Sequence, residues 1–506
     1  MEYSHVYYSL LALLPLLYLF KSLLASTTSS HHGSSLRLPP SPWRLPILGN
    51  LHHLHGALPH RALRDLARLH GPVMLLKFGE VPVIVASSRE AAKEVMKTHD
   101  AALATRPQTT TIKILSERGP GIVFAPYGDH WRQLRKICNM ELLSAKRVQS
   151  FRQIREEEAA HLVQSIASAS ASAPLVNLSK LLAVYVADAA FRAIMGDRLK
   201  DRDAFIRQLA EGVRVAAGFS LADLYPSSRL ARVLSWSART AEIHRAAMLQ
   251  LMDNVVSEHM ERRSQGEPQT EDMVDVLLRL QRDGGLQIPL TMDTVKGVII
   301  DLFAGSNDTS ATTLQWAMAE LMRNPAVMAK LQDEVRGAFA ASMKVSEEGL
   351  RELRYLHMVI KETLRLHLPA PLLVPRECQE QCQILGFDVP KGTMVMVNAG
   401  SISTDPEYWD EPEVFRPERF EHDGKDFSGN DFEFIPFGAG RRICPGMFFG
   451  LANIELALAN VVFYFDWSLP EGVSCNEMDM TEAPGITVRK KSDLWLTAKS
   501  WAPLSP

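Results

Sequence analysis

The sequence predicts a mainly α-helical fold with small β-sheets, in one large domain behind an N-terminal transmembrane helix. Three observations carry that reading. Helical periodicity recurs over Trp131–Ser168, Leu181–Met195, Ile243–Arg263 and Thr294–Arg323. Alternation of strand type is confined to short stretches such as Pro72–Val85. The first apolar run is long enough to cross a bilayer. Length alone, at 506 residues, would suggest about three domains, but no internal repeat is present and the chain reads as one body.

From Val6 to Phe20 nearly every residue is apolar, with Ser9 and Pro15 as interruptions, and Leu23–Ala25 extend the run after Lys21. Counted through Ala25 this is about 20 residues, the span of a hydrocarbon core. A cleaved signal peptide would open with positive charge, whereas Glu2 precedes this run. A buried core helix does not usually stand at a terminus before a polar tract. Residues 1–25 are therefore read as a retained membrane anchor, with Lys21, Arg37 and Arg44 keeping the following side cytosolic. Ser26–Ser35, STTSSHHGSS, is a polar flexible linker. Leu38–Asn50, LPPSPWRLPILGN, holds four prolines and a glycine and makes a stiff connection. Residues 26–50 thus form a linker and proline-rich hinge that orients the body, residues 51–506, on the membrane.

An amphipathic stretch, His60–His70, leads into a hairpin. In it Met74, Leu76 and Phe78, then Val81, Val83 and Val85, alternate on either side of Gly79-Glu80. The Ala/Ser-rich Ser165–Ala173 reads as a surface loop. Thr294–Arg323 is an unusually long helical run, stopped by Asn324-Pro325. Short strand-like pieces return near Val395–Val397 and after Gly485. At 46% hydrophobic and 22% charged, the chain can bury a large core. A net charge of −3 without a basic stripe leaves no footprint for nucleic acid. The cysteines, Cys138, Cys378, Cys382, Cys444 and Cys475, are few and odd in number, which excludes a disulfide scaffold and favours a reducing compartment. Cys378 and Cys382 lack the second pair or the histidines that a zinc site would need.

The decisive segment is Pro436–Gly446, PFGAGRRICPG. Gly438, Gly440 and Gly446 permit a tight loop around Cys444, and Gly446 opens a helix over Met447–Phe463. A cysteine at a helix start beside Arg441 and Arg442 should have its thiolate favoured, and loop N–H groups can hydrogen-bond a metal-bound sulfur. The bland alternative is a buried cysteine in a glycine turn, and local chemistry does not decide between them. Glu362 and Arg365 lie three apart on one helix face, ordinary for a surface pair. Trp131 and Arg135 lie one helical turn apart. On the long helix, AGSNDTS (Ala304–Ser310) sets an acid before an alcohol, Asp308-Thr309, a pair suited to relaying protons through hydroxyl and water. Such residues can also simply bond their own backbone.

Taken together these motifs resemble the cytochrome P-450 monooxygenases, in the family's order and from the anchor to about Leu496. Phe437, Gly440, Arg442, Cys444 and Gly446 match F-x-x-G-x-R-x-C-x-G, the haem-binding signature; Glu362 and Arg365 match E-x-x-R; Pro417–Phe420, PERF, supplies Arg419. The resemblance implies the cytochrome P-450 fold, haem b with Cys444 as axial iron ligand, O2 as co-substrate, and Asp308 and Thr309 as catalytic residues. It implies that Trp131, Arg135, Arg376 and Arg442 hold the haem propionates, and that Glu362, Arg365 and Arg419 form a structural lock. It further implies NADPH electrons through a membrane cytochrome P-450 reductase, and an endoplasmic-reticulum location with the body cytosolic. In one departure, Ser306 stands where the family usually has glycine, two before the acid, while Gly305 comes one place earlier. Asn307-Asp308-Thr309 is also formally a glycosylation sequon, which a buried cytosolic helix makes irrelevant.

The proline-rich hinge, KETLRLHLPAPLLVPREC and FRPERF are similar to the plant microsomal members of specialised metabolism. Gly400–Thr404, GSIST, departs where that group usually shows Trp and Arg, with no catalytic effect expected, and Pro484 stands where an aromatic residue is common. Leu302, Phe303, Ala370, Leu372, Leu373, Pro484 and Ile486 are expected to line the substrate cavity; all are apolar, which favours a terpenoid over a charged acid. Phenolic, lignan and indole substrates are the alternatives. Two other functions compete: a hydroperoxide isomerase or dehydratase needing no reductase, against which Asp308-Thr309 stands, and a non-catalytic haem-binding membrane protein.

Overall fold

Two apolar helices form the axis of the molecule. The long one, α10 (Met292–Arg323), begins where the Thr291 side chain accepts the Thr294 N–H, and it ends at Asn324 because Pro325 cannot continue it. The other, α13 (Met447–Tyr464), follows Gly446 directly and is apolar on nearly every face, so it must be buried on all sides. Among the described residues it is the one helix long and apolar enough to cross a membrane, yet 72% of it lies inside the protein. The computed structural model describes residues 36–502 apart from 118, 200–201, 218, 267–269 and 423. The predicted anchor and the Ser26–Ser35 linker lie outside the described residues.

Ahead of this axis come α1 (Pro59–His70), α2 (Thr110–Leu115), α3 (Asp129–Ile137), α4 (Arg152–Ser172), α5 (Leu178–Met195), α6 (Arg202–Ala216), the single turn α7 (Leu221–Leu224), α8 (Trp236–Ser264) and α9 (Met273–Asp283). Between the axial pair lie α11 (Pro325–Phe339) and α12 (Arg354–Leu366). The largest core packs α4, α5, α11 and α12 around α10 and α13, through Trp316, Leu321, Leu356, Val359, Leu458 and Phe463. A second core joins α3, α5, α6, α8 and α9 to the first half of α10.

The sheets are small. Strands β1 (Val73–Phe78) and β2 (Val81–Ala86) form the predicted hairpin, with Phe78 opposite Val81 across Gly79-Glu80. Strand β3 is Val176–Asn177, β4 is Arg376–Glu377, β5 is Cys382–Ile384, β6 is Phe387–Val389, and β7 is Met394–Val397. The largest sheet runs β1-β2-β7-β4, β7 lying parallel to β2. Near the end of the described chain, β8 (Phe465–Ser468) pairs with β9 (Trp495–Ser500).

Two expectations change. The run Trp131–Ser168 is not one helix: a wide turn at Cys138–Leu142 follows α3, and Ser144 caps a new short helix before α4. Ser165–Ala173 is not a loop, because α4 continues to Ser172; Ile166 is buried there, alanine favours helix, and the Ser170 and Ser172 hydroxyls donate to the carbonyls of Ala167 and Ser168 in the preceding turn. The strand-like pieces expected after Gly485 are present: Lys490 bridges back to Glu482, and β9 follows.

Candidate active site

Cys444 is fixed by its loop. Gly438 and Gly440 both have φ 69°, a conformation that favours glycine. A Cβ on Gly440 would lie 2.1 Å from the Met96 carbonyl oxygen, so no side chain fits. The Cys444 N–H donates to the Phe437 carbonyl at 2.9 Å, and α13 begins after Pro445-Gly446. The sulfur faces a partly open cavity of about 740 Å³ that is also lined by Gly305, Ser306 and Thr309. Burial pushes the Cys444 thiol up, opposed by the Gly446 N–H and the Arg135 guanidinium. Arg441 and Arg442 do not act on it as expected. Arg441 pairs with Asp100 at 3.1 Å, and Arg442 turns to backbone carbonyls. The nearby cation is Arg135, which sequence spacing paired only with Trp131.

The loop is braced from behind. Arg365 donates twice to Glu362, at 2.7 and 2.9 Å, and Arg419 donates to the same carboxylate at 2.9 Å. The remaining Arg365 and Arg419 donors go to the carbonyls of Ser403, Pro412, Asp410 and Val414. Arg365 lies 5.2 Å from the Trp409 ring, Trp409 packs on Phe434, and Phe434 reaches Phe427 and, through it, Phe437. Phe437 is the residue whose carbonyl holds the Cys444 N–H.

Around the cavity wall stand Arg106, Arg135, Arg376 and Arg442. Arg442 gives hydrogen bonds to the carbonyls of Ala104, Ile122 and Ala125 and stacks 4.1 Å from the Trp131 ring. The Trp131 N–H donates to Ile122 O at 3.0 Å. Arg376 pairs with Asp100 at 3.0 Å. Arg106, absent from the sequence reading, ties Val374 and Pro375 to Val123. Burial lowers Arg106 well below the usual range, with repulsion from Arg442 and Arg376 adding to it. Arg135 makes no hydrogen bond or ion pair with a described residue.

On α10 the acid and the alcohol diverge. Thr309 lines the cavity and donates to Gly305 O at 2.9 Å. Asp308 does not line it; its carboxyl faces Thr487, near Arg489, and burial raises its pKa. One residue is a 100° rotation on a helix, which carries the Asp308 side chain away from the cavity while Gly305, Ser306, Thr309 and Ser310 line it. Ser306 bonds its own turn, to Phe303 O at 3.3 Å, and α10 stays helical from Met292 to Arg323. The same phase corrects Phe303, which is 2% exposed and packs between Phe191 and Phe205 instead of lining the cavity. Leu302, Ala370, Leu372, Leu373, Pro484 and Ile486 do line it. Gly400 sits so close to this wall that a Cβ would stand 2.7 Å from Pro371.

Two further acids were missed. Asp301 accepts the Val123 N–H at 2.8 Å, and burial raises its pKa to about 6. An acid inside the apolar run VIIDLFAG was the available signal. Asp223 of α7 accepts the Thr111 N–H and hydroxyl of α2, at 2.9 and 2.7 Å, and the Ser220 hydroxyl at 2.7 Å. Its Thr111 partners lie over a hundred residues away; Ser220 is three residues off, where Ser-x-x-Asp marks only a helix cap.

A mainly helical body with a cysteine loop facing a deep apolar cavity defines the class, and comparison with known proteins places the chain within it. The Cytochrome P450 family profile matches residues 39–496, and the chain belongs to that family. It is 47% identical over 476 residues to a 5-epiaristolochene 1,3-dihydroxylase of Nicotiana tabacum, covering 93% of this chain and 94% of that protein. It is 48% identical over 465 residues to a desmethyl-deoxy-podophyllotoxin synthase of Sinopodophyllum hexandrum, covering 91% of each. With a dolabradiene monooxygenase of Zea mays it shares 46% over 492 residues, 96% of each chain. It is a cytochrome P450 monooxygenase of plant specialised metabolism, an oxidoreductase that incorporates O2.

The family implies a haem, and the residues present fit one. The cavity offers a sulfur ligand in its wall, apolar sides, and an excess of arginine over carboxylate, with the Arg135 donors unspent. A flat apolar dianion satisfies each of these at once.

Proposed function

We propose that this chain binds haem b through the Cys444 thiolate and oxidises a lipophilic plant specialised metabolite, with a terpenoid as the preferred class. When bound, the haem supplies a thiolate-ligated iron at which O2 is activated. The chain's own residues do the rest. The glycine loop holds the sulfur toward the cavity, and Arg135, with Arg376, Arg442 and Trp131 around it, takes the propionates. The Thr309 hydroxyl, on the cavity face of α10, passes protons inward; Asp308 acts from behind, through Thr487 and water, without touching the reacting atoms. The apolar wall of Leu302, Ala370, Leu372, Leu373, Pro484 and Ile486 excludes water and orients the substrate by shape. Relatives named for 5-epiaristolochene and dolabradiene support a terpenoid; the desmethyl-deoxy-podophyllotoxin synthase supports the lignan alternative. Electrons come from NADPH through a cytochrome P-450 reductase, with residues 1–25 anchoring the chain in the endoplasmic-reticulum membrane and the catalytic body in the cytosol.

The observation that carries the proposal is that Cys444 lines the same cavity as Thr309. Reduced protein exposed to carbon monoxide is expected to show a red-shifted Soret band that Cys444→Ser lacks. Haem binding without that band would remove the thiolate assignment. Product from terpenoid hydrocarbons that depends on NADPH and reductase tests the rest; turnover without reductase would favour an isomerase.

A further inference from the structure

Cys378 and Cys382 are too few for a zinc site, but the fold brings them together. Cys378 follows β4 directly, and Cys382 opens β5. The β5–β6 hairpin turns at Leu385-Gly386, both at positive φ, and so sets Cys382 opposite Val389. The Cys378 Sγ lies 3.5 Å from the Val389 carbonyl oxygen and 2.9 Å from that of Glu380. Its backbone is fixed as well: the Cys378 N–H donates to Thr393 O at 2.9 Å, and its carbonyl accepts the Gly392 N–H at 2.8 Å. In this turn Cys382 offers both its thiol and its backbone N–H to the Cys378 sulfur.

A metal needs more than two sulfurs. Among the described residues, no third cysteine, histidine or carboxylate stands with this pair as a further ligand. What two adjoining thiols can do without a metal is exchange two electrons with a partner, by forming and breaking a disulfide.

Access and acidity both suit that exchange. Cys378 is buried, whereas Cys382 is half-buried, so solvent reaches one sulfur of the pair and the other waits behind it. The hydrogen bond from the Cys382 thiol lowers the Cys378 pKa, so the pair gives up a first proton more readily than a lone buried thiol does. Passing the shared proton from Cys382 to Cys378 then leaves the thiolate on the sulfur that solvent reaches.

We propose that Cys378 and Cys382 form a reversible dithiol–disulfide site whose oxidant is a small-molecule disulfide. The Cys382 sulfur attacks one sulfur of that molecule; its S–S bond breaks, one thiol leaves, and a mixed disulfide remains on Cys382. The Cys378 sulfur then attacks the Cys382 sulfur and displaces the second thiol. The two cysteines lose two electrons and two protons, and the small disulfide gains both and departs as two thiols. A dithiol reverses the sequence. The closed link ties β4, whose Arg376 lines the main cavity, to the β5–β6 hairpin. In a reducing compartment such a bond is transient and follows the state of the thiol pool.

Full-length haem-loaded protein equilibrated in glutathione buffers of graded reduced-to-oxidised ratio tests this. Each sample is quenched in acid, denatured, alkylated and digested with trypsin. Both sulfurs fall in one tryptic peptide, Glu377–Lys391, which holds no other cysteine. The expected result is that this peptide escapes alkylation in the oxidising buffers, about 2 Da lighter than the dithiol form, and takes up alkylating agent at both sulfurs after dithiothreitol. Cys378→Ser is expected to stop at the mixed disulfide, seen as a glutathione adduct on Cys382. Alkylation of both sulfurs at every ratio, or a wild-type peptide that stays glutathionylated, overturns the proposal. Circular dichroism of each sample reports the fold, and a link that forms only as the helical signal is lost overturns it equally.

Discussion

Two groups of buried arginines sit on opposite sides of the cysteine loop, and they are built to opposite ends. In the first, Arg365 and Arg419 share the Glu362 carboxylate and give their remaining N–H groups to nearby carbonyls, with Glu362 and Arg365 at 0% side-chain exposure. In the second, Arg106, Arg135, Arg376 and Arg442 crowd one cavity wall, Asp100 is the carboxylate paired with Arg376, and Arg135 has no partner among the described residues. The first group is complete as it stands. The second stores unmet positive charge at a concave apolar surface, and stored charge of that kind marks a place for an anion.

The sharpest test of this difference is Glu362→Gln, which keeps the volume but leaves two buried guanidiniums without their anion. A loss of about 3–5 kcal/mol is expected, read as a large fall in denaturation midpoint or as failure to accumulate folded protein. Wild-type stability in this variant would mean that the lock is not a lock. Asp100→Asn should cost less, about 2–3 kcal/mol, because Arg376 and Arg441 keep a neutral acceptor. Arg135→Leu should do the reverse of both. It removes a half-buried cation with no partner among the described residues, so the haem-free protein should be as stable as wild type or slightly more so. Its affinity for haem, followed by titration, should fall about tenfold, or ~1.4 kcal/mol. A destabilised Arg135→Leu with unchanged haem affinity would erase the distinction between the two groups.

The smallest effect concerns Asp301. Its folded-state pKa of about 6 lies above the ordinary carboxylate value, so the native state holds this proton more tightly than the unfolded chain does. Its contribution to stability is therefore full below about pH 4 and is lost as pH rises through 6, by about 1 kcal/mol because the carboxyl borders a cavity. Asp301→Asn should flatten that slope in thermal unfolding while still accepting the Val123 N–H. A slope that persists would assign it to another group.

Local signals explain what was legible in the sequence. The Cys444 loop, the E-x-x-R spacing, the hairpin at Gly79-Glu80 and the stop at Asn324-Pro325 all depend on residues within a turn or two of one another. Phe303 was misplaced because its facing depends on helix phase, which is fixed only by what packs against each side, here Phe191 and Phe205. Asp100, Arg106 and Asp223 were invisible for a related reason: their partners, Arg376, Val374 and Thr111, stand far along the chain. Ser165–Ala173 misled through composition, since alanine- and serine-rich segments serve equally as loops and as helix ends.

The carboxylate of Asp223 has a kinetic consequence. Because it collects the Thr111 N–H, the Thr111 hydroxyl and the Ser220 hydroxyl, α2 and α7 cannot separate bond by bond without stranding a buried charge. Both segments border the main cavity, which Ile112 and Leu224 line. Any widening at that corner is thus a single concerted event, and a bulky molecule entering there waits on the opening frequency of one knot, not on the summed looseness of two elements.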